Sequence, residues 1–176
     1  MKSVLSLAAL VLVVPSLASA EVRDEPGAYV AFGGTAGAHT YSYAGPTFEG
    51  GTRFGSLPLF GRLELAAGLA TNWQEPAGWF QQTRVGLELR PCIREGRLCG
   101  FAGVDLGLAV AQYTTNPDTM NSEDSYGWLS VARTGVDAAA GSVRIRAALE
   151  ATQHTPILVG AHGRGLALNL AVMHAF

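Results

Sequence analysis

The chain has 176 residues, with 12 Lys and Arg against 14 Asp and Glu, 22 Gly and two Cys. That length holds a single domain, and the near balance of charge offers neither a basic patch for nucleic acid nor a polyanionic tail. The glycines are dispersed without a repeat, which excludes collagen-like and linker readings.

Residues 1–20 read as an export signal. Lys2 supplies the positive start, residues 4–14 an apolar run, Pro15 a break, and Ala18-Ser19-Ala20 a cleavage site. The run is too short to cross a bilayer, which takes about 20 apolar residues. No Cys follows the site to carry a lipid. Cleavage leaves residues 21–176 as one domain with 11 Arg, no Lys and 14 carboxylates, a net charge of −3 with His neutral. No later apolar stretch reaches helix-spanning length, so residence in a membrane requires a closed β-barrel.

Eight segments with a period of two follow in the mature chain. Residues 28–38 and 47–56 are weak examples. Residues 62–69 turn Leu63 and Leu65 away from Arg62 and Glu64. Residues 84–90 are the clearest, with Val85, Leu87 and Leu89 on one face and Arg84, Gly86, Glu88 and Arg90 on the other. Residues 101–113 set Val104, Leu106, Leu108 and Val110 against Asp105, Gly107 and Ala109. Residues 126–137 are weaker, and residues 143–150 alternate Arg144, Arg146 and Glu150 with apolar neighbours. Residues 166–176 close the chain. There Leu166, Leu168, Leu170, Val172, His174 and Phe176 share one face, and only Met173 blurs the small or polar one.

Cys92 and Cys99 frame the link between the fourth and fifth segments, and in an exported chain such a pair reads first as a disulfide. A metal site would want further ligands, and no His is near. Cys92 has the parity of Glu88 and Arg90, and Cys99 that of Asp105, so both should face the charged side. Closing so short a loop stabilises a fold by about 2–3 kcal/mol. The bridge reads as a staple rather than a redox centre.

Connection lengths are expected to alternate. Long polar loops would span residues 39–46, 71–78, 114–125 and 153–162, and short links would fall near 57–59, 94–97 and 138–141. Trp73, Trp79, Trp128, Tyr113 and Tyr126 then fall at the loop end of the strands, where amphipathic rings favour a lipid–water boundary. Phe54 and Phe176 mark the other rim.

On these residues the mature chain resembles the small eight-stranded bacterial outer-membrane barrels, the OmpX and OmpA transmembrane-domain type. The resemblance implies an all-β, eight-stranded antiparallel transmembrane β-barrel of up-and-down order, located in the outer membrane of a Gram-negative cell. It implies insertion by the barrel assembly machinery, which reads the closing strand with Leu168, Leu170, Val172, His174 and Phe176. His174 stands where such strands often carry Tyr, and no peptidoglycan-binding domain follows. The partners expected are outer-membrane lipid and lipopolysaccharide, with a monomeric barrel, no nucleic acid and no cofactor.

With apolar residues facing lipid, the other face fills the interior. Glu49, Arg53, Arg62, Glu64, Arg84, Glu88, Arg90, Asp105, Arg133, Asp137, Arg144, Arg146 and Glu150 are the inward candidates. Eight strands leave an interior just wide enough for side chains, so this mixed set is expected to close into Arg–carboxylate pairs. A pore selecting one ion sign would carry one sign of charge. The leading reading is a plugged barrel with a structural or surface-interaction role through its outer loops. The alternatives are a narrow solute channel, a surface enzyme, and a soluble lipocalin-type barrel with the apolar face inside. For the enzyme, His39, His154, His162, Ser42, Ser122, Ser125, Asp118, Glu123 and Asp124 are loop candidates for a Ser–His–acid arrangement. They read more simply as a solvated rim, and Glu64 and Glu88, each near an Arg, read as structural rather than catalytic.

Overall fold

Backbone hydrogen bonds join the end of the chain to the start of its first strand: Phe176 donates to Ala28 O and Gly27 donates to Phe176 O, both at 2.8 Å. The computed structural model describes residues 27–38, 42–71, 78–93, 96–116, 121–157 and 163–176. The strands are β1 (Ala28–Ala38), β2 (Ser42–Arg53), β3 (Leu59–Thr71), β4 (Gly78–Leu89), β5 (Cys92–Ile93), β6 (Leu98–Asn116), β7 (Asn121–Ala140), β8 (Val143–Pro156) and β9 (Gly163–Ala175). Each wall strand runs antiparallel to the next, β4 pairs directly with β6, and β9 returns to β1 from Tyr29↔Ala175 to Ala38↔Leu166. The two-residue β5 folds back on the start of β6 and takes no place of its own in the wall. The result is a closed eight-stranded antiparallel barrel.

The alternation of side chains puts the apolar face outside. Phe32, Phe48, Leu63, Leu65, Val85, Leu87, Val104, Leu106, Leu108, Val136, Ile145, Leu149, Leu168, Leu170 and Val172 are all exposed, while Glu49, Arg62, Glu64, Arg84, Glu88, Asp105, Arg133, Asp137, Arg146 and Glu150 on the same strands are buried. In water each such side chain forgoes about 1.5–3 kcal/mol of burial, and the belt runs round the whole wall, far larger than a stray surface patch. A lipocalin-type barrel needs the opposite parity. Trp79, Trp128 and Tyr126 also point outward near the loop end, and Phe54 and Phe176 at the turn end. Trp73 lies outside the described residues, as do residues 1–20 and the side chain of Tyr113.

Several strands outrun their period-two segments. β2 begins at Ser42 rather than 47, β4 at Gly78 rather than 84, and β8 continues to Pro156. β6 and β7 reach Asn116 and Asn121, well into the stretch expected to be loop. Backbone pairing continues where residue types no longer alternate between apolar and charged, although β2, β4 and β8 keep alternating exposed with buried side chains. The expected contrast of long loops and short links therefore shrinks to a contrast in how far the hairpins project. Pro46, expected in a loop, sits in β2 opposite Gly34. The β2–β3 ladder skips from Ala44↔Leu69 to Thr47↔Ala66 around it, because Pro has no N–H to give. At the other end Gly141 and Ser142 alone link Ala140 to Val143, and Gly141 takes the positive φ of 67° that so tight a hairpin requires.

Candidate functional site: a charged plug

The interior is filled by side chains that the register brings to one level from different strands. In the middle, Arg62 from β3 binds Glu49 on β2 at 2.8 Å and also reaches Glu64 and Asp105. Arg84 on β4 binds Glu64 beside it and crosses the lumen to Glu150 on β8 at 2.7 Å. Arg133 on β7 reaches Glu49 on the far wall at 3.2 Å and lies within 4 Å of Glu64, Glu88 and Glu150. Glu49 and Glu64 face each other across the β2–β3 ladder, a like-charge pair that only the guanidiniums around it make tolerable.

Nearer the turn end Arg146 on β8 binds Glu49 at 2.5 Å, Glu88 at 2.8 Å and Asp137 at 3.2 Å. Asp137 also takes Arg90 at 2.9 Å and Arg144 at 2.6 Å. Six arginines therefore meet six carboxylates: Arg62, Arg84, Arg90, Arg133, Arg144 and Arg146 against Glu49, Glu64, Glu88, Asp105, Asp137 and Glu150. All are buried except Arg144, whose side chain is 11% exposed. Arg53 departs from the inward set: its guanidinium ties the β2–β3 turn by donating to Ser56 O and Leu57 O.

Aromatic rings complete the floor. Arg90 lies over Tyr29 and Phe60, and Arg146 over Tyr29 and Phe101, at 4.4–5.5 Å from the ring centres. Arg133 covers Phe101 from above. The planar guanidinium can stack by its face while its edge serves the carboxylates. Tyr29 adds a hydrogen bond of 2.5 Å to Glu49. Toward the loop end the fill mixes rings and alanines with neutral polar groups: Tyr43 and Phe80 pack at 5.0 Å among Ala66, Ala70, Ala111 and Ala167, and Gln82, Thr152, His154 and Asn169 are buried as well. These inward aromatics escaped the sequence reading, which assigned rings to the rims. The available signal was parity, since Phe60 aligns with Arg62, Phe80 with Arg84 and Phe101 with Asp105.

Inward glycines leave the space the large groups occupy. A Cβ on Gly86 would sit 1.9 Å from Asp105 Oδ1, and one on Gly51 2.4 Å from the Tyr29 ring. His154, expected in a loop, lies in β8 facing inward and fully buried, opposite Leu129 and Gly163. It is thus separated from the surface where a Ser–His–acid arrangement was considered. His39, His162 and Asp118 lie outside the described residues. Ser42 starts β2, and Ser122, Glu123, Asp124 and Ser125 belong to the β7 backbone. Among the described residues no three His, Cys, Asp or Glu side chains are grouped to hold a metal.

Cys92 and Cys99 are bonded and face each other across the β5–β6 pair. Both point inward at the turn end, and Arg144 donates to Cys99 Sγ at 3.0 Å. On β9, Leu168, Leu170, Val172 and Phe176 form an outward stripe, and the exposed His174 ring meets Phe176 edge-on at 4.9 Å.

By sequence alone the chain matches no family model and no curated protein. Solved structures match by shape. Neisserial surface protein A superposes with a TM-score of 0.62 at 18% identity, over 85% of this chain and 97% of that one. The attachment invasion locus protein Ail of Yersinia pestis gives 0.61 at 13% identity, over 87% and 100%. The N-terminal β-barrel domain of Pseudomonas aeruginosa OprF gives 0.55 at 8%, over 85% and 99%. Identities this low speak for the fold and not for a shared activity. Closed wall, outward apolar belt and structural neighbours together give this chain the fold of the small eight-stranded outer-membrane β-barrels.

Proposed function

We propose that the protein is a monomeric integral outer-membrane barrel, closed to solutes, that acts through the surface it raises above the membrane rather than by transport or catalysis. The observation that carries the closed lumen is the network of six arginines and six carboxylates spanning from wall to wall. Moving an ion through it means separating buried pairs, which costs about 3–5 kcal/mol for each partner lost. The apolar belt supports contact with lipid, and lipopolysaccharide would meet its loop end. The stripe of Leu168, Leu170, Val172, His174 and Phe176 is available to the barrel assembly machinery.

The surface role rests on the β6–β7 hairpin. Its pairing runs through Tyr113↔Glu123 and Thr114↔Ser122 to Asn116↔Asn121, beyond the last β4–β6 pair at Trp79↔Gln112 and the last β7–β8 pair at Gly127↔Pro156. Four residues past Gln112 carry the backbone roughly 14 Å further at about 3.4 Å per residue. The described part of this hairpin includes Glu123 and Asp124, and residues 113–125 hold no Lys or Arg, so the hairpin is acidic in composition and suits a basic partner.

Cell fractionation and planar-bilayer recording test the proposal. The wild-type protein should be recovered in the outer membrane, change gel mobility on boiling, and pass no steady current. Recovery as a soluble species would overturn the membrane placement, and a sustained ion-selective conductance would replace the closed lumen by a narrow channel.

A further inference from the structure

The disulfide has a cation against one of its sulfurs. Arg144 grips three groups at the turn end: its Nε donates to Asp137 Oδ1 at 2.6 Å, its Nη1 to Gly96 O at 2.5 Å and its Nη2 to Cys99 Sγ at 3.0 Å. A disulfide sulfur is a weak acceptor, so this last contact contributes little while the bridge is closed. The same N–H and positive charge interact far more strongly with a sulfur that has become a thiolate. Arg144 is therefore a group whose interaction favours the reduced form over the oxidised one.

The two cysteines are also unequal. Cys99 has no exposure and contacts Arg144, whereas Cys92, on the short β5, is buried but retains 7% exposure as a residue. Opening the bridge need not open the barrel, because the hairpin holds by other bonds. Ile93 pairs with Leu98, Gly100 donates to Pro91 O at 3.0 Å, and Ala139 donates to Arg97 O at 2.7 Å. The bridge spans a separation of only seven residues, so cutting it releases less chain entropy than cutting a bridge across a longer loop.

We propose that Cys92–Cys99 is a reducible latch at the turn end, with Cys92 the sulfur attacked and Cys99 the leaving sulfur received by Arg144. The co-reactant is a dithiol reductant of the thioredoxin-like class. Its thiolate attacks Cys92 Sγ, the S–S bond breaks, and the electron pair leaves on Cys99 Sγ as a thiolate. The reductant's second thiolate then attacks its own sulfur in the mixed disulfide and frees Cys92, which takes a proton from water. Two thiols become a disulfide and one disulfide becomes two thiols. The new Arg144–Cys99 ion pair forms beside Asp137, which also holds Arg90 and Arg146, so the redox state of the hairpin is communicated to the floor of the plug. The proposal draws on the outer-membrane reading only in placing the turn end in the periplasm.

The test uses the full barrel folded in detergent, so its outcome does not depend on where the protein resides. Equilibration in glutathione buffers, read by thiol alkylation and mass, should show Arg144→Gln about tenfold harder to reduce than wild type, a shift of about 30 mV for this two-electron couple. Arg144→Lys, which keeps the charge, should lie between them. A second measurement needs no variant: brief reaction of wild type with glutathione, acid quenching and peptide mapping should place the adduct on Cys92 with Cys99 as the thiol. An unchanged potential in folded Arg144→Gln, an adduct on Cys99, or a bridge that yields to excess reductant only when the barrel unfolds would each overturn the latch.

Discussion

Replacing Arg146 by Met removes a cation shared by three carboxylates without removing bulk. Arg146 serves Glu49, Glu88 and Asp137 and is stacked on Tyr29 and Phe101. In its absence Glu49 keeps Arg62 and Arg133, and Asp137 keeps Arg90 and Arg144. Glu88 is left with Arg133 at 3.9 Å, too far for a hydrogen bond. Stranding one buried charge in this way costs about 3–5 kcal/mol, and the lost ring contacts add about 1–2 kcal/mol. Adding Glu88→Met removes the stranded charge, and an apolar replacement of a buried pair is often close to neutral. The double variant should therefore recover about 2 kcal/mol or more, a coupling of the size found between groups in direct contact. Urea unfolding in lipid vesicles, followed by the heat-sensitive gel shift, gives the differences from the midpoints at constant slope. A loss below about 1 kcal/mol for Arg146→Met, or strict additivity in the double variant, would show that water rather than Glu88 solvates this guanidinium, and the plug described above would be wrong.

Phe176→Asp should reduce insertion in cells far more than refolding into detergent, since burial of one aromatic accounts for only about 1.5–3 kcal/mol; parallel losses would reduce Phe176 to a packing residue. Gly86→Ala should destabilise the barrel by more than about 2 kcal/mol, because its Cβ meets Val104 O at 2.4 Å as well as Asp105. Gly50→Ala, whose nearest neighbour is Tyr29 O at 3.8 Å, is the control and should lie within about 0.5 kcal/mol of wild type. Protein taken from the oxidising compartment, denatured and left unreduced, should label at neither Cys92 nor Cys99, and stoichiometric labelling would show the bridge absent.

Residues in the apolar belt were the most legible in sequence. From 84 to 90 and from 166 to 172 each side chain's chemistry reports which way it points, because lipid and a charged lumen make opposite demands. Arg84, Glu88, Arg133, Asp137, Arg146 and Glu150 could be placed inside for the same reason. Tyr29, Phe60, Phe80 and Phe101 could not be placed by chemistry, since a ring satisfies a packed interior and a lipid rim equally well; for the three Phe only parity with a charged neighbour on the same strand chooses. His154 was misplaced because a polar residue beyond the belt carries no signal of strand or loop; its burial depends on Gly127, two strands of chain away, leaving room for its ring. The extents of β6 and β7 were missed because a hydrogen-bonded ribbon in water needs no alternation at all.

The direct pairs across neighbouring strands, Glu64 opposite Arg84, Arg133 opposite Glu150 and Asp137 opposite Arg146, bear on assembly as well as on closure. A wall built largely of Leu, Val, Ala and Gly discriminates poorly between alignments. A slip of one residue inverts every face, but a slip of two keeps each side chain on its own side. Sliding β7 against β8 by two would set Arg133 against Ala148 or Thr152 and strand carboxylates in the interior, at several kcal/mol for each pair lost. The lumen thus distinguishes the native alignment from its nearest competitors, a task the lipid-facing surface cannot perform. Variants that neutralise the interior should then yield, beyond weaker barrels, mixtures of barrels closed in different registers.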